Sequence, residues 1–227
     1  MAEDWTHPLR AGGVGSGSGA DAGPGASSGA GSSTTSAGSS TTSASSSTTS
    51  AGSKAAARKA GPTTPGRKAT PALTLLEQAG VEYLLETFDS GRVSTALGEG
   101  YGLAAARALQ VDPDTVFKTL MVKVDGDLWC AVIPVTRHLD LKAVARAAGG
   151  KRAGLAAVTE AERATGYAVG GISPLGQRAK HPTLIDSSAQ ALDQMLVSAG
   201  GRGMDVKLAP GDLARLVEAT FVPIGRL

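Results

Sequence analysis

The sequence predicts an α+β protein: one compact domain around a mixed, largely antiparallel sheet flanked by helices, preceded by a disordered tail. Three observations carry this. The composition breaks sharply near residue 69: from residue 11 to 53, 40 of 43 residues are Gly, Ala, Ser or Thr. Beyond the break, two apolar runs, VFKTLMVKV (116–124) and DLWCAVIPV (127–135), flank Asp125-Gly126, the strongest short signal for a tight hairpin. Helical and strand-like segments then alternate irregularly, which favours a mixed or antiparallel sheet over a doubly wound parallel one.

The tail comes first. It contains a seven-residue repeat, SSTTSAG, SSTTSAS, SSTTSAG, starting at Ser32, Ser39 and Ser46. A coiled-coil seam needs large apolar side chains at two positions per heptad, and here nothing exceeds alanine. Such a tract cannot bury enough surface to offset the entropy of ordering it, so residues 1–69 are expected to be disordered. They hold six Lys or Arg against three acids, and residues 70–227 hold sixteen against seventeen. The basic pI of 8.8 therefore belongs to the tail, whose end carries Lys54, Arg58, Lys59, Arg67 and Lys68. That run is either a solubilising linker or a weak, salt-sensitive attraction for RNA.

Several function classes lack support. MAEDWTHPLR has no apolar core for a secretory signal, and no run of roughly 18 apolar residues could span a membrane. A soluble cytoplasmic protein is expected. Cys130 is the single cysteine, and His7, His138 and His181 are scattered, so neither a disulfide nor a paired zinc-ligand spacing is present. GxGxxG and the phosphate-loop lysine are missing, which leaves nucleotide hydrolysis unsupported.

The elements follow in order. Thr70-Pro71 reads as an N-cap with proline at the first helical position, and Gly80 as the stop. VEYLLETF (81–88) alternates like a strand. Residues 101–110 form an alanine-rich helix, and Asp112-Pro113 starts a short turn or helix. The hairpin comes next, then a helix over 141–148 capped by Asp140 and ended by Gly149-Gly150. Thr159 and Glu162 have capping-box spacing, so a short helix is expected to begin there. TLID (183–186), MLVS (195–198) and MDVKL (204–208) read as strands, the last two joined by the glycine-rich turn AGGRG. Residues 211–219 form a last helix and FVPI a last short strand.

Three features bear on chemistry. Lys118 shares a strand face with Val116, Leu120, Val122 and Val124. An ammonium interrupting such a row must snorkel out, find a partner or lower its pKa. Cys130, between Trp129 and Ala131 with no nearby histidine, reads as a small buried hydrophobe rather than a nucleophile. TGYAVGGISPLG (165–176) holds four glycines and no charge. Either its backbone N–H groups approach an anion or developing oxyanion, or it is a tight turn that only permits packing. Two basic groups, Arg137, Lys142, Arg146, Lys151 and Arg152, and then Arg178 with Lys180, could track a phosphate backbone. A solvated helix face is the commoner explanation.

Taken together, TP (70–71), VFKTL (116–120), LDLKAVARAAGGK (139–151), TGYAVGGISPLGQ (165–177), TLID and GDLARLVEA (211–219) resemble the YbaK family. These are free-standing cysteinyl-tRNA(Pro) deacylases, related to the editing domain inserted in some bacterial prolyl-tRNA synthetases. The resemblance implies an editing domain over 70–227 that acts on tRNA(Pro) acylated with cysteine. It implies no cofactor, no metal, no triad and no protein nucleophile. The family's essential lysine falls on Lys118, and Gly170 and Gly171 on its oxyanion-stabilising loop. Substrate contacts would come from Phe88, Tyr101, Thr119, Ile172, Ser173, Pro174, Ser198 and Asp205. Phe88 stands where the family has tyrosine, so a hydroxyl role there is absent, and the stretch between Phe88 and Tyr101 departs from the family pattern. In the mechanism proposed for the family, the substrate's own thiol attacks its ester and a cyclic thiolactone leaves. Prolyl-tRNA synthetase is the partner implied. Two alternatives stay open: a deacylase for Ala- or Ser-tRNA, or a non-catalytic tRNA-binding or synthetase-associated adapter on the same fold.

Overall fold

A computed structural model of the protein describes residues 69–90 and 100–227. The expected tail, with its repeat and basic run, lies outside the described residues.

Helix α1 (Pro71–Gln78) starts as its sequence requires: the Thr70 hydroxyl accepts from the Leu73 amide at 3.3 Å. The same hydroxyl donates to the Ala199 carbonyl, tying the helix start to a distant strand. Ala72, Leu73 and Leu76 are its buried face, and Gly80 turns the chain at φ +63°. The Val81 amide donates back to Leu76, which delays the first strand: β1 covers Leu84–Thr87, shorter than the alternation suggested. Helix α2 (Tyr101–Leu109) and a single 3-10 turn (Pro113–Thr115) lead into β2 (Phe117–Val124) and β3 (Asp127–Pro134). Asp125 and Gly126 both adopt positive φ, 51° and 112°, as a two-residue hairpin turn needs. Strand β4 (His138–Leu139), α3 (Leu141–Ala147) and β5 (Ala153–Leu155) follow. Asp140 caps α3 by accepting from the Lys142 and Ala143 amides.

Helix α4 (Val158–Thr165) corrects an expectation. Its N-cap is Ala157, with no side-chain bond, and Thr159 lies inside the helix. No capping box forms there; Glu162 instead accepts from the Val169 amide at 2.9 Å, beyond the other end of the helix. The chain ends with β6 (Thr183–Asp186), β7 (Met195–Gly201), β8 (Met204–Leu208), α5 (Pro210–Val217), β9 (Thr220–Val222) and β10 (Gly225–Arg226).

The described strands form three sheets rather than one. The largest has the order β5-β2-β3-β6-β9, antiparallel across β5, β2 and β3, and parallel from β3 through β6 to β9. An antiparallel sheet β1-β8-β7 lies beside it, and β10 pairs with β4. One parallel bridge, Val116 to Leu196, joins the two larger sheets. Three apolar clusters follow from this division. Phe117, Met121, Cys130 and Val132 pack with Val197, Val206, α1, α5 and the 167–175 loop. The opposite face of β2 and β3 buries Val122, Val124, Ala131 and Ile133 under α3. Near the inter-sheet bridge, Val116, Val135 and Leu196 pack against Ala106 of α2. The alternation of β2 and β3 thus feeds two cores, as strands covered on both faces require.

Candidate functional site

Strand register places the first group. Lys118 lies two residues beyond Val116 on β2, and Ser198 two beyond Leu196 on β7, so each shares the face of its bridge residue. Asp205 is directly opposite Ser198, and Glu86 directly opposite Asp205. Lys118, Ser198, Asp205 and Glu86 therefore lie on one continuous face, the face whose Val116 and Leu196 pack against α2.

At the start of that helix, the Tyr101 hydroxyl accepts from the Gly203 amide at 2.9 Å. Its ring meets Phe88 at a centroid distance of 6.2 Å, while the Phe88 amide donates to the Gly203 carbonyl at 3.0 Å. Gly203 (φ +77°) has no room for a side chain here: a Cβ would stand 2.5 Å from the Phe88 carbonyl oxygen. Gly102 is equally confined against Val135.

The electrostatics of this face are unusual. Lys118 is half-buried; its ammonium donates to the Val135 carbonyl at 3.4 Å, and no carboxylate pairs with it among the described residues. Desolvation holds its pKa below the usual lysine value. Asp205 is 9% exposed. Burial, with the Glu86 carboxylate adding, pushes its carboxyl up to about 6. Burial also raises the Tyr101 phenol.

The glycine-rich segment begins where Gly166 (φ +78°) ends α4. The Tyr167 hydroxyl donates to the Leu175 carbonyl at 2.8 Å and closes the loop across itself. Arg202, in the β7–β8 turn, donates twice to the Val169 carbonyl, at 3.2 and 2.9 Å. Close approach explains the paired glycines. A Cβ on Gly171 would lie 3.0 Å from the Gly201 carbonyl carbon, and one on Gly170 2.9 Å from Arg202 Nε. Of the two amides expected to face substrate, that of Gly171 donates to the Ala168 carbonyl at 2.9 Å. The Gly170 amide has no partner among the described residues. The Gly171 amide is thus engaged within the loop, and the exposed Gly170 amide is not.

The remaining expected residues divide. Ile172 belongs to the main core. Ser173 and Pro174 are buried, and the Ser173 hydroxyl is occupied within the loop, accepting from the Leu175 amide at 3.2 Å. Thr119 lies on the face opposite Lys118, its buried hydroxyl without a hydrogen-bond partner among the described residues. Cys130 is buried and its thiol is pushed up to about 12, chiefly by desolvation, so it is no thiolate nucleophile.

Sequence reasoning missed three residues. Gln177 donates to the Ser173 carbonyl at 2.9 Å, sits 3.6 Å from Cys130 Sγ and meets His181 Nδ1 at 2.9 Å, pinning the loop to β3. Arg202 holds the loop to the late hairpin. Glu86 was legible in principle, because strand alternation puts it on the face of Phe88.

One strand face thus bears a desolvated ammonium and a carboxyl of raised pKa, while the glycine-rich loop packs with the core on the other face of β2 and is tied to the β7–β8 turn. Residues 103–216 match the profile of the aminoacyl-tRNA editing domain, and the chain belongs to that family. EbsC of Enterococcus faecalis, named as a candidate Cys-tRNA(Pro)/Cys-tRNA(Cys) deacylase, is 37% identical over 123 residues, 53% of this chain and 74% of that protein. The fold is shared with a solved structure described as a candidate trans-editing enzyme for prolyl-tRNA synthetase. That structure is 19% identical with a TM-score of 0.61, over 69% of this chain and 96% of the other. A crystal structure of a hypothetical protein matches similarly, at 21% identity and TM-score 0.61, over 69% of this chain and 100% of that one.

Proposed function

We propose that residues 70–227 form a trans-editing deacylase that frees cysteine from mischarged Cys-tRNA(Pro). The observation that carries this reading is Lys118: a half-buried ammonium with only a carbonyl for a partner, on one face with Ser198 and Asp205, in a chain 37% identical to a protein named for that activity. Lys118 contacts the terminal adenosine phosphate or the ester region and fixes the acylated end. The Gly170 amide polarises the ester carbonyl. Phe88, Tyr101, Ser198 and Asp205 shape the pocket, while Ile172, Ser173 and Pro174 act by setting the loop's path and Thr119, on the other face of β2, acts through packing.

No protein nucleophile or metal enters the reaction. The substrate's thiol gives up its proton, its sulfur bonds to the ester carbonyl carbon, and the carbon–oxygen bond to the ribose breaks. The ribose oxygen takes the proton, and the thiolactone leaves and later hydrolyses. Holding sulfur and carbonyl at near-attack distance is an entropic contribution that reaches about 7–11 kcal/mol in well-oriented systems. Editing is needed because one methylene in an apolar synthetase pocket discriminates by only about 1–3 kcal/mol. Prolyl-tRNA synthetase is the proposed source of tRNA selection.

Lys118→Ala is expected to lower single-turnover release of cysteine by at least ~100-fold, the order of losing one electrostatic contact to the reacting group, with an unchanged melting temperature. Retained turnover in that variant contradicts the role. Binding of tRNA without turnover by the native chain favours the adapter reading, to which the missing Phe88 hydroxyl lends its one support.

A further inference from the structure

One group of basic residues that the proposed function leaves unused gathers around β4, α3 and β10. Lys118 donates to the Val135 carbonyl, and Arg137 follows two residues later. Arg137 packs against β10, where a Cβ on Gly225 would stand 2.9 Å from its Cδ. The β10–β4 register sets Arg226 opposite His138. Asp140 lies below its usual pKa, chiefly through the Ala143 amide, with Arg146 and Arg226 adding charge from two sides. Lys142, Arg146, His138 and Arg226 are exposed.

Two acids at this end are committed to backbone donors. The Asp140 carboxylate accepts from two α3 amides. Asp186 is buried and accepts from the Ile224 and Gly225 amides, from Ser188 and from Arg137. Asp114, which accepts from Thr136, borders the patch, and Asp140 lies at the surface within it. The cations of residue 137, α3 and β10 outnumber these carboxylates.

We infer that the surface formed by Arg137, Lys142, Arg146 and Arg226 carries the phosphate backbone of the tRNA acceptor stem as it leads to Lys118. The inference rests on the deacylase reading for its choice of RNA. Arginine forks match phosphate geometry, and such contacts position a nucleic acid without reading its sequence. The surface thus holds the stem of any tRNA, in keeping with selection of tRNA(Pro) by another protein.

The test is anisotropy of labelled, unacylated tRNA(Pro) transcript on the full chain across a salt series. An Arg146→Glu/Arg226→Glu double variant is compared with Arg163→Glu/Arg215→Glu, on α4 and α5, as a charge-matched control. Loss of two phosphate contacts predicts affinity weaker by tenfold or more at about 100 mM salt, and a log–log salt slope smaller by about 2. The double variant should hydrolyse the cysteinyl ester of adenosine, which has no stem, at the native rate. Unchanged affinity and slope, or equal weakening by Arg163→Glu/Arg215→Glu, overturns the inference. The two readings fail separately. A native chain that binds tRNA with the expected slope but cleaves neither ester loses the deacylase assignment and keeps this surface. One that cleaves both esters regardless of the double variant does the reverse.

Discussion

Lys118 and Asp205 show how one strand face can hold two groups away from their ordinary titration. Lys118 was legible as an anomaly, because an ammonium in a row of aliphatics must be explained; its carbonyl partner was not, since Val135 comes close only through the hairpin's register. Asp205 was assigned by resemblance, and its burial against Glu86 arises from a β1–β8 pairing that no local pattern announces. The raised carboxyl has a thermodynamic consequence. Below about pH 3 both folded and unfolded chains carry the proton, and burial costs nothing through ionisation. As pH rises through the unfolded value of 3.8 toward the folded value of about 6, the unfolded chain ionises first and stability is lost. Asp205→Asn is therefore expected to stabilise the protein by roughly 2–3 kcal/mol at pH 8 and by almost nothing at about pH 3. Urea midpoints at both values check this; an equal effect at both would show that ionisation is not the cause.

At the scale of elements, the helix starts at Thr70 and Asp140 and the Asp125-Gly126 hairpin were readable because each rests on local chemistry. The expected capping box failed because spacing alone cannot tell which backbone amide a carboxylate finds. Glu162 was drawn to Val169 once the loop folded back over α4. The glycine-rich loop follows the same logic. Its composition announced a close approach but not to what, and the approach proves to be to the chain's own late hairpin and first helix. Gly176 (φ +62°) would put a Cβ 2.5 Å from the Pro71 carbonyl carbon, whereas Gly149 (φ +70°) has nothing within 4 Å. Gly149→Ala should cost only the left-handed strain of about 1–2 kcal/mol. Gly176→Ala should cost more than about 3 kcal/mol, because backbone must also move. Denaturant unfolding of the pair reads the difference, and equal losses would contradict the packing account.

For the whole molecule, the fold class was legible and its division into sheets was not. Period-2 patterns identify strands but not their partners, and the Val116–Leu196 bridge joins residues eighty positions apart. That bridge brings the β2 lysine beside the late hairpin. No described helix is long and apolar enough to cross a membrane. Residues 11–53 are almost entirely Gly, Ala, Ser and Thr and hold too little apolar surface to add a core, so a chain begun at Ala69 is expected to melt within ~2 °C of the full chain. A larger drop by calorimetry would show that the preceding residues contribute to stability.

The central claim is that the substrate's own sulfur does the chemistry while Lys118 and the Gly170 amide hold the ester in place. The most direct measurement is single-turnover hydrolysis of Cys-tRNA(Pro) beside Ala-tRNA(Pro) under identical conditions. The account predicts rapid release of cysteine and none of alanine above the uncatalysed rate. Comparable release of both would contradict it.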